Sequence, residues 1–173
     1  MIVGDNRTDP LEIHIVGESE TYKIERLEAA QFPLVNRFYQ TCGYSVRCGR
    51  QEVVVCLRLI RDGSSTIVAA ARFLPHVDGY YVLRNLCVAA QQRRKGLATY
   101  LLRNALTCLG ENLCYCYAFS YLRDFYQSLG FVVRSPTQVP EQIARSYQSY
   151  CHKHRDLLLM SFGACLNLHT PAP

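Results

Sequence analysis

A chain of 173 residues has room for one compact domain and short tails. Hydrophobic residues make up 49% and charged residues 19%, which excludes a disordered or low-complexity protein, and apolar runs such as Leu157 to Met160 are far too short to cross a membrane. The net charge of +5 is modest and dispersed, and this argues against a nucleic-acid partner, which would favour a longer basic stripe with interleaved aromatics.

The first ten residues carry Asp5, Arg7 and Asp9 where a secretory signal would be basic and then apolar, so they read as a flexible segment. A single domain is expected over residues 11–163, with a tail over 164–173. Strand-like pieces at Glu12 to Val16 and Tyr22 to Arg26 precede an amphipathic helix at Leu27 to Cys42. That helix has Pro33 in its first turns and Gly43 as its stop. Val, Leu and Ile dominate the strand Glu52 to Ile60. The turn Asp62-Gly63-Ser64-Ser65 and the strand Thr66 to Phe73 complete a hairpin. Another strand, Tyr80 to Val88, follows the Asp78-Gly79 turn.

From Arg94 to Leu109 the spacing changes to that of a helix, with Ala98, Leu101, Leu102, Ala105 and Leu109 on one face and Gly110 at the end. Asn112 to Phe119 is strand-like, Tyr121 to Leu129 a short helix stopped by Gly130, and Phe131 to Val133 the start of a strand. A helix from Glu141 to about His152 and a strand from Leu157 to Phe162 close the sequence. This order predicts an α/β domain: a mixed, mostly antiparallel sheet of six to seven strands covered by helices on both faces. The unit Tyr80–Val88, Arg94–Leu109, Asn112–Phe119 is the expected parallel crossover.

Nine cysteines occur without a paired CxxC unit. Cys151-His152-Lys153-His154 lacks the second ligand pair of a metal site, so no metal is expected. Free thiols in a reducing, cytoplasmic compartment are the simpler reading.

The junction between Asn85 and Ala98 holds the most chemical information. An apolar strand runs into the polar turn Arg93-Arg94-Lys95-Gly96, and the turn opens a helix. The first amides of a helix lack internal partners and lie at the positive end of its dipole. With Gly96 and small Ala98 beside them, phosphate oxygens could approach the main chain directly.

Arg93-x-x-Gly96-x-Ala98 resembles the Q/R-x-x-G-x-G/A motif of the GNAT superfamily of N-acetyltransferases. Phe125-Tyr126-Gln127-Ser128-Leu129-Gly130-Phe131 resembles that family's F-Y-x-x-x-G-F segment, one helix and one strand downstream. The resemblance covers Tyr80 to Val133 and implies a GNAT-type fold with acetyl-CoA as acyl donor. It implies that the turn at Arg93, Arg94, Lys95, Gly96, Leu97, Ala98 and Thr99 holds the pyrophosphate. Leu86, Cys87 and Val88 would pair with the pantetheine arm, and Tyr126 would protonate the departing thiolate. A primary amine attacking directly in a ternary complex is the implied acceptor, with a homodimer left open.

Two features depart from the family pattern. Counted back from Val88, the same-face positions Leu86, Arg84, Val82 and Tyr80 include no carboxylate base, so water, His76 or Tyr81 would have to take the amine proton. Phe119 also stands where an asparagine often precedes the tyrosine by seven residues. Arg84, if turned to the acceptor, would bind a carboxylate or phosphate on it. A non-catalytic acetyl-CoA sensor or interaction module on the same fold is the other reading.

Overall fold

The computed structural model describes residues 12–13, 20–154 and 156–163, so the expected N-terminal segment, the end of the first strand and the C-terminal tail lie outside the described residues. The strands are β1 (Glu12–Ile13), β2 (Thr21–Arg26), β3 (Val53–Arg61), β4 (Ser64–Pro75), β5 (Tyr81–Val88), β6 (Cys114–Phe119), β7 (Val132–Val133) and β8 (Leu157–Phe162). They form one sheet in the order β1-β2-β3-β4-β5-β6-β8-β7, six full strands with the two-residue β1 and β7 at its edges. Among the described residues only β5 and β6 pair in parallel, so the sheet is mixed and mostly antiparallel, as the element order predicts.

Alternating strand residues bury two faces, and each face carries two helices. On one face α2 (Leu97–Thr107) inserts Leu97, Leu101, Leu102 and Ala105 at helical spacing against Val55, Leu57, Ala71 and Phe73, while Tyr126 of α3 (Arg123–Ser128) joins the same cluster. On the other, α1 (Phe32–Thr41) packs Phe32, Val35, Phe38 and Tyr39 on Val54, Cys56 and Ala70. There Ile143 of α4 (Glu141–Lys153) meets Tyr115 and Leu159. A fully buried leucine such as Leu101 or Leu102 stabilises the fold by about 2 kcal/mol through transfer from water.

Three local features differ from the sequence expectation. The β3–β4 turn contracts to two residues, because Asp62 (φ 50°) and Gly63 (φ 75°) both adopt the left-handed conformation and Arg61 pairs directly with Ser64. The first helix begins at Phe32 after a 3-10 turn at Ala29–Gln31, with Pro33 in its opening turn. The third helps to build the candidate site. Arg94 (φ 62°) and Gly96 (φ 75°) cannot be helical, so the basic residues belong to a loop and α2 starts at Leu97.

The sheet opens beside that loop. β5 pairs with β6 only at Tyr81–Cys114 and Val82–Tyr115. On the β4 side, Cys87 pairs with Ala70 but Arg84 pairs with Arg72, so β5 carries one extra residue, and Asn85 sits there at φ 50°. Such a bulge bends and twists a strand. Beyond Val82 the edge of β5 facing β6 therefore lacks a strand partner.

Candidate functional site

The turn that opens α2 is exposed from Arg93 to Gly96, and no side chain caps the first amides of the helix. Positive φ at Arg94 and Gly96, with Lys95 between them, alternates the backbone hand in the way that gathers N–H groups into an anion-binding concavity. A Cβ built on Gly96 would meet no protein atom within 4 Å, so the space in front of this main chain is open.

The three cations of the turn are not equivalent. Arg93 folds back, and its Nε donates to the Val88 carbonyl at 3.2 Å, tying the loop to the end of β5. Lys95 Nζ donates to Gln92 Oε1 at 2.8 Å and lies 3.7 Å from Glu20, a carboxylate that also pairs with Arg61. Arg94 has no partner among the described residues. It is the cation of the turn that is free to meet a ligand's charge.

The bulge at Asn85 corrects one sequence expectation. Leu86 and Val88 pack towards the α2 face together with Leu83 and Tyr81, whereas Val82 and Tyr80 belong to the α4 face and Cys87 to the α1 face. Leu86, Arg84, Val82 and Tyr80 are therefore not one row, because the extra residue switches the alternation. Arg84 lies on the α4 side with its Cζ 5.0 Å from the centre of the Tyr150 ring. The two suggested bases lie on opposite sides of the sheet. Tyr81 packs into the α2-side core. The His76 ring stacks on Tyr80 at 4.3 Å and bonds to Gln142 and Asp78, at the far end of β5 from Val88.

Tyr126 is 8% exposed and held edge-on by Phe125 and Phe131, with ring centroids at 5.0 and 5.3 Å. Burial, and then the neighbouring Cys116, Cys114 and Tyr121, pushes its phenol well above the usual tyrosine range. It remains a proton donor at any physiological pH. Phe119, in the place of the family's asparagine, is 39% exposed and stacks on Tyr121 at 5.6 Å.

Cys87 is buried, and burial followed by a hydrogen bond with Cys42 pushes its thiol up to about 12. A thiol held so firmly protonated is a poor nucleophile. Sequence reasoning did not find the ion pair between Glu52 and Arg72, whose side chains are both 11% exposed and meet at 2.9 Å. Pairing across strands was the missing information, since the two residues are twenty positions apart.

A family model for the acetyltransferase (GNAT) domain matches residues 51–133. No curated protein sequence matches the chain. Among solved structures the chain is similar to Escherichia coli ElaA, with TM-score 0.55 and 18% identity over 82% of this chain and 97% of that one. It is also similar to the ribosomal-protein-S18-alanine N-acetyltransferase of Escherichia coli, with TM-score 0.57 and 17% identity over 86% and 99%. A third neighbour is N-acetylglutamate synthase from Neisseria gonorrhoeae in complex with coenzyme A and N-acetyl-glutamate, at TM-score 0.58 and 15% identity. The match covers 86% of this chain but only 35% of that enzyme.

Proposed function

We propose that the chain, which matches the GNAT acetyltransferase domain over residues 51–133 and shares its fold, is an N-acetyltransferase that takes acetyl-CoA as donor and a primary amine as acceptor. The observation that carries this reading is the open, uncapped turn at Arg93–Ala98 lying next to the partnerless edge of β5. Unpaired amides, a helix dipole and the free Arg94 suit a diphosphate, and Gly96 leaves room for it. The edge of Leu86, Cys87 and Val88 that faces away from β4 has no strand against it and suits an extended amide-bearing arm, which would add to the sheet as another strand. Acetyl-CoA supplies the activated acyl carbon.

The protein's part is to align that carbon with an amine and to manage protons. Tyr126, kept neutral by burial, donates a hydrogen bond to the leaving sulfur as it gains charge. An alkylammonium with pKa about 10.4 is neutral in less than roughly one part in a thousand at pH 7, so loss of its proton precedes attack. With His76 engaged by Gln142 at the far end of β5, water in the wedge between β5 and β6 takes that proton. Eight described cysteines are free, which suits a cytoplasmic setting.

The test is release of coenzyme A thiol from acetyl-CoA with a panel of amines. Amine-dependent release supports the enzyme, whereas tight coenzyme binding without release from any amine would identify the sensor. The direct route also predicts that acetyl-CoA alone leaves Cys87 unmodified in intact-mass spectra, and an acetyl adduct there would establish a thiol relay.

A further inference from the structure

Resting on the transferase reading, we propose that the acceptor is an amino carboxylate and that Arg84 binds its carboxylate. The β4–β5 register sets Arg72 and Arg84 side by side on one face of the sheet. Like charges directly opposite on neighbouring strands are destabilising, and a guanidinium cannot shed its proton. One of the two is answered: Glu52 grips Arg72 through Oε2 on Nε at 2.9 Å and Oε1 on Nη2 at 3.0 Å. The other has no carboxylate among the described residues. The row is one acid short.

The position of that unanswered guanidinium supports the assignment. Continuing the Tyr81–Cys114 and Val82–Tyr115 register places Arg84 level with Tyr117, just where β5 and β6 stop pairing. Arg84 is half-buried and lies over the Tyr150 ring, which itself packs on Tyr117 at 5.3 Å. The aromatic floor stabilises the cation and fixes its plane while leaving its hydrogen-bond donors free. Arg84 precedes Leu86 by two residues, about 7 Å of strand, and although their side chains leave opposite faces, the open main-chain edge runs between them, so a ligand bridging Arg84 and the thioester path proposed along that edge must carry its anion near its amine. A single planar fork on an aromatic floor suits a carboxylate; phosphate sites usually gather several cations or main-chain amides.

The experiment uses the full chain with acetyl-CoA, measuring thiol release with the twenty L-amino acids and with their carboxamides, for the wild type and for Arg84→Gln and Arg84→Lys. One or more free acids is expected to exceed its carboxamide by about 10- to 100-fold in kcat/KM, the loss expected for a hydrogen-bonded charge pair. Arg84→Gln should erase that gap through KM while leaving coenzyme affinity unchanged, and Arg84→Lys should restore part of it. Calorimetry of N-acetyl amino acids against the coenzyme A-loaded protein gives a second readout. Equal turnover of acids and carboxamides, or a gap that survives Arg84→Gln, overturns the assignment but leaves the transferase standing. Arg84-dependent binding of the acetylated acids without thiol release from any amine keeps the anion site and overturns the transfer reading. Absence of both overturns both.

Discussion

Tyr126→Phe is expected to lower kcat by about 10²- to 10³-fold while leaving the affinity for coenzyme A unchanged. The hydroxyl is the only group removed. No described residue bonds to it, and the ring keeps its edge contacts with Phe125 and Phe131, so stability should change by no more than about 1 kcal/mol. A residue serving only to fill the core would give the opposite pattern, with turnover intact. Because burial raises the phenol above its ordinary value of about 10, the wild type should show no decline in kcat from its ionisation below about pH 10. Steady-state kinetics from pH 6 to roughly pH 10 on both proteins, with thermal melts alongside, decide between these outcomes.

Gly96→Ala should weaken coenzyme A binding by roughly 100-fold or more, since loss of two charge-assisted amide hydrogen bonds would cost at least about 3 kcal/mol. A methyl group there meets no protein atom, yet it would stand in the space assigned to the phosphates. Strain acts on stability instead of affinity, because φ 75° disfavours alanine by about 1–2 kcal/mol in the free and the bound protein alike. Gly79 provides a matched control: its φ is 79°, and its added Cβ also meets nothing within 4 Å. Gly79→Ala should therefore lower the melting temperature to a similar degree and leave coenzyme affinity alone. Equal affinities for the two variants in calorimetry would remove the turn from the binding site.

The fold was largely legible because its signals are local. The apolar runs of β3 to β6, the 3.6-residue spacing of α2 and the glycines at 96, 110 and 130 each act on their own neighbourhood. The turn proposed to hold the pyrophosphate could be located from Gly96, but the starting point of α2 could not. Arg94 takes a positive φ that its residue type does not advertise, and the helix begins three residues later than its apolar spacing suggests.

What escaped the sequence depends on register. The extra residue in β5 reverses which side chains face α2, so counting by twos from Val88 joined Leu86 to Arg84 when they lie on opposite faces. The same register brings Arg72 beside Arg84, and neither the pairing of Glu52 with Arg72 nor the place of Tyr150 under Arg84 follows from spacing along the chain. Short-range patterns gave the proposed donor side of the site. The proposed acceptor side draws on residues between 52 and 150 that only the folded sheet brings together.

The most direct measurement is a crystal structure of the protein with bound acetyl-CoA. Pyrophosphate oxygens should lie about 3 Å from main-chain nitrogens within residues 93–98, with the pantetheine arm along Leu86 to Val88 and the thioester sulfur beside the Tyr126 hydroxyl. A pyrophosphate seated elsewhere, or a sulfur out of reach of that hydroxyl, would contradict the account.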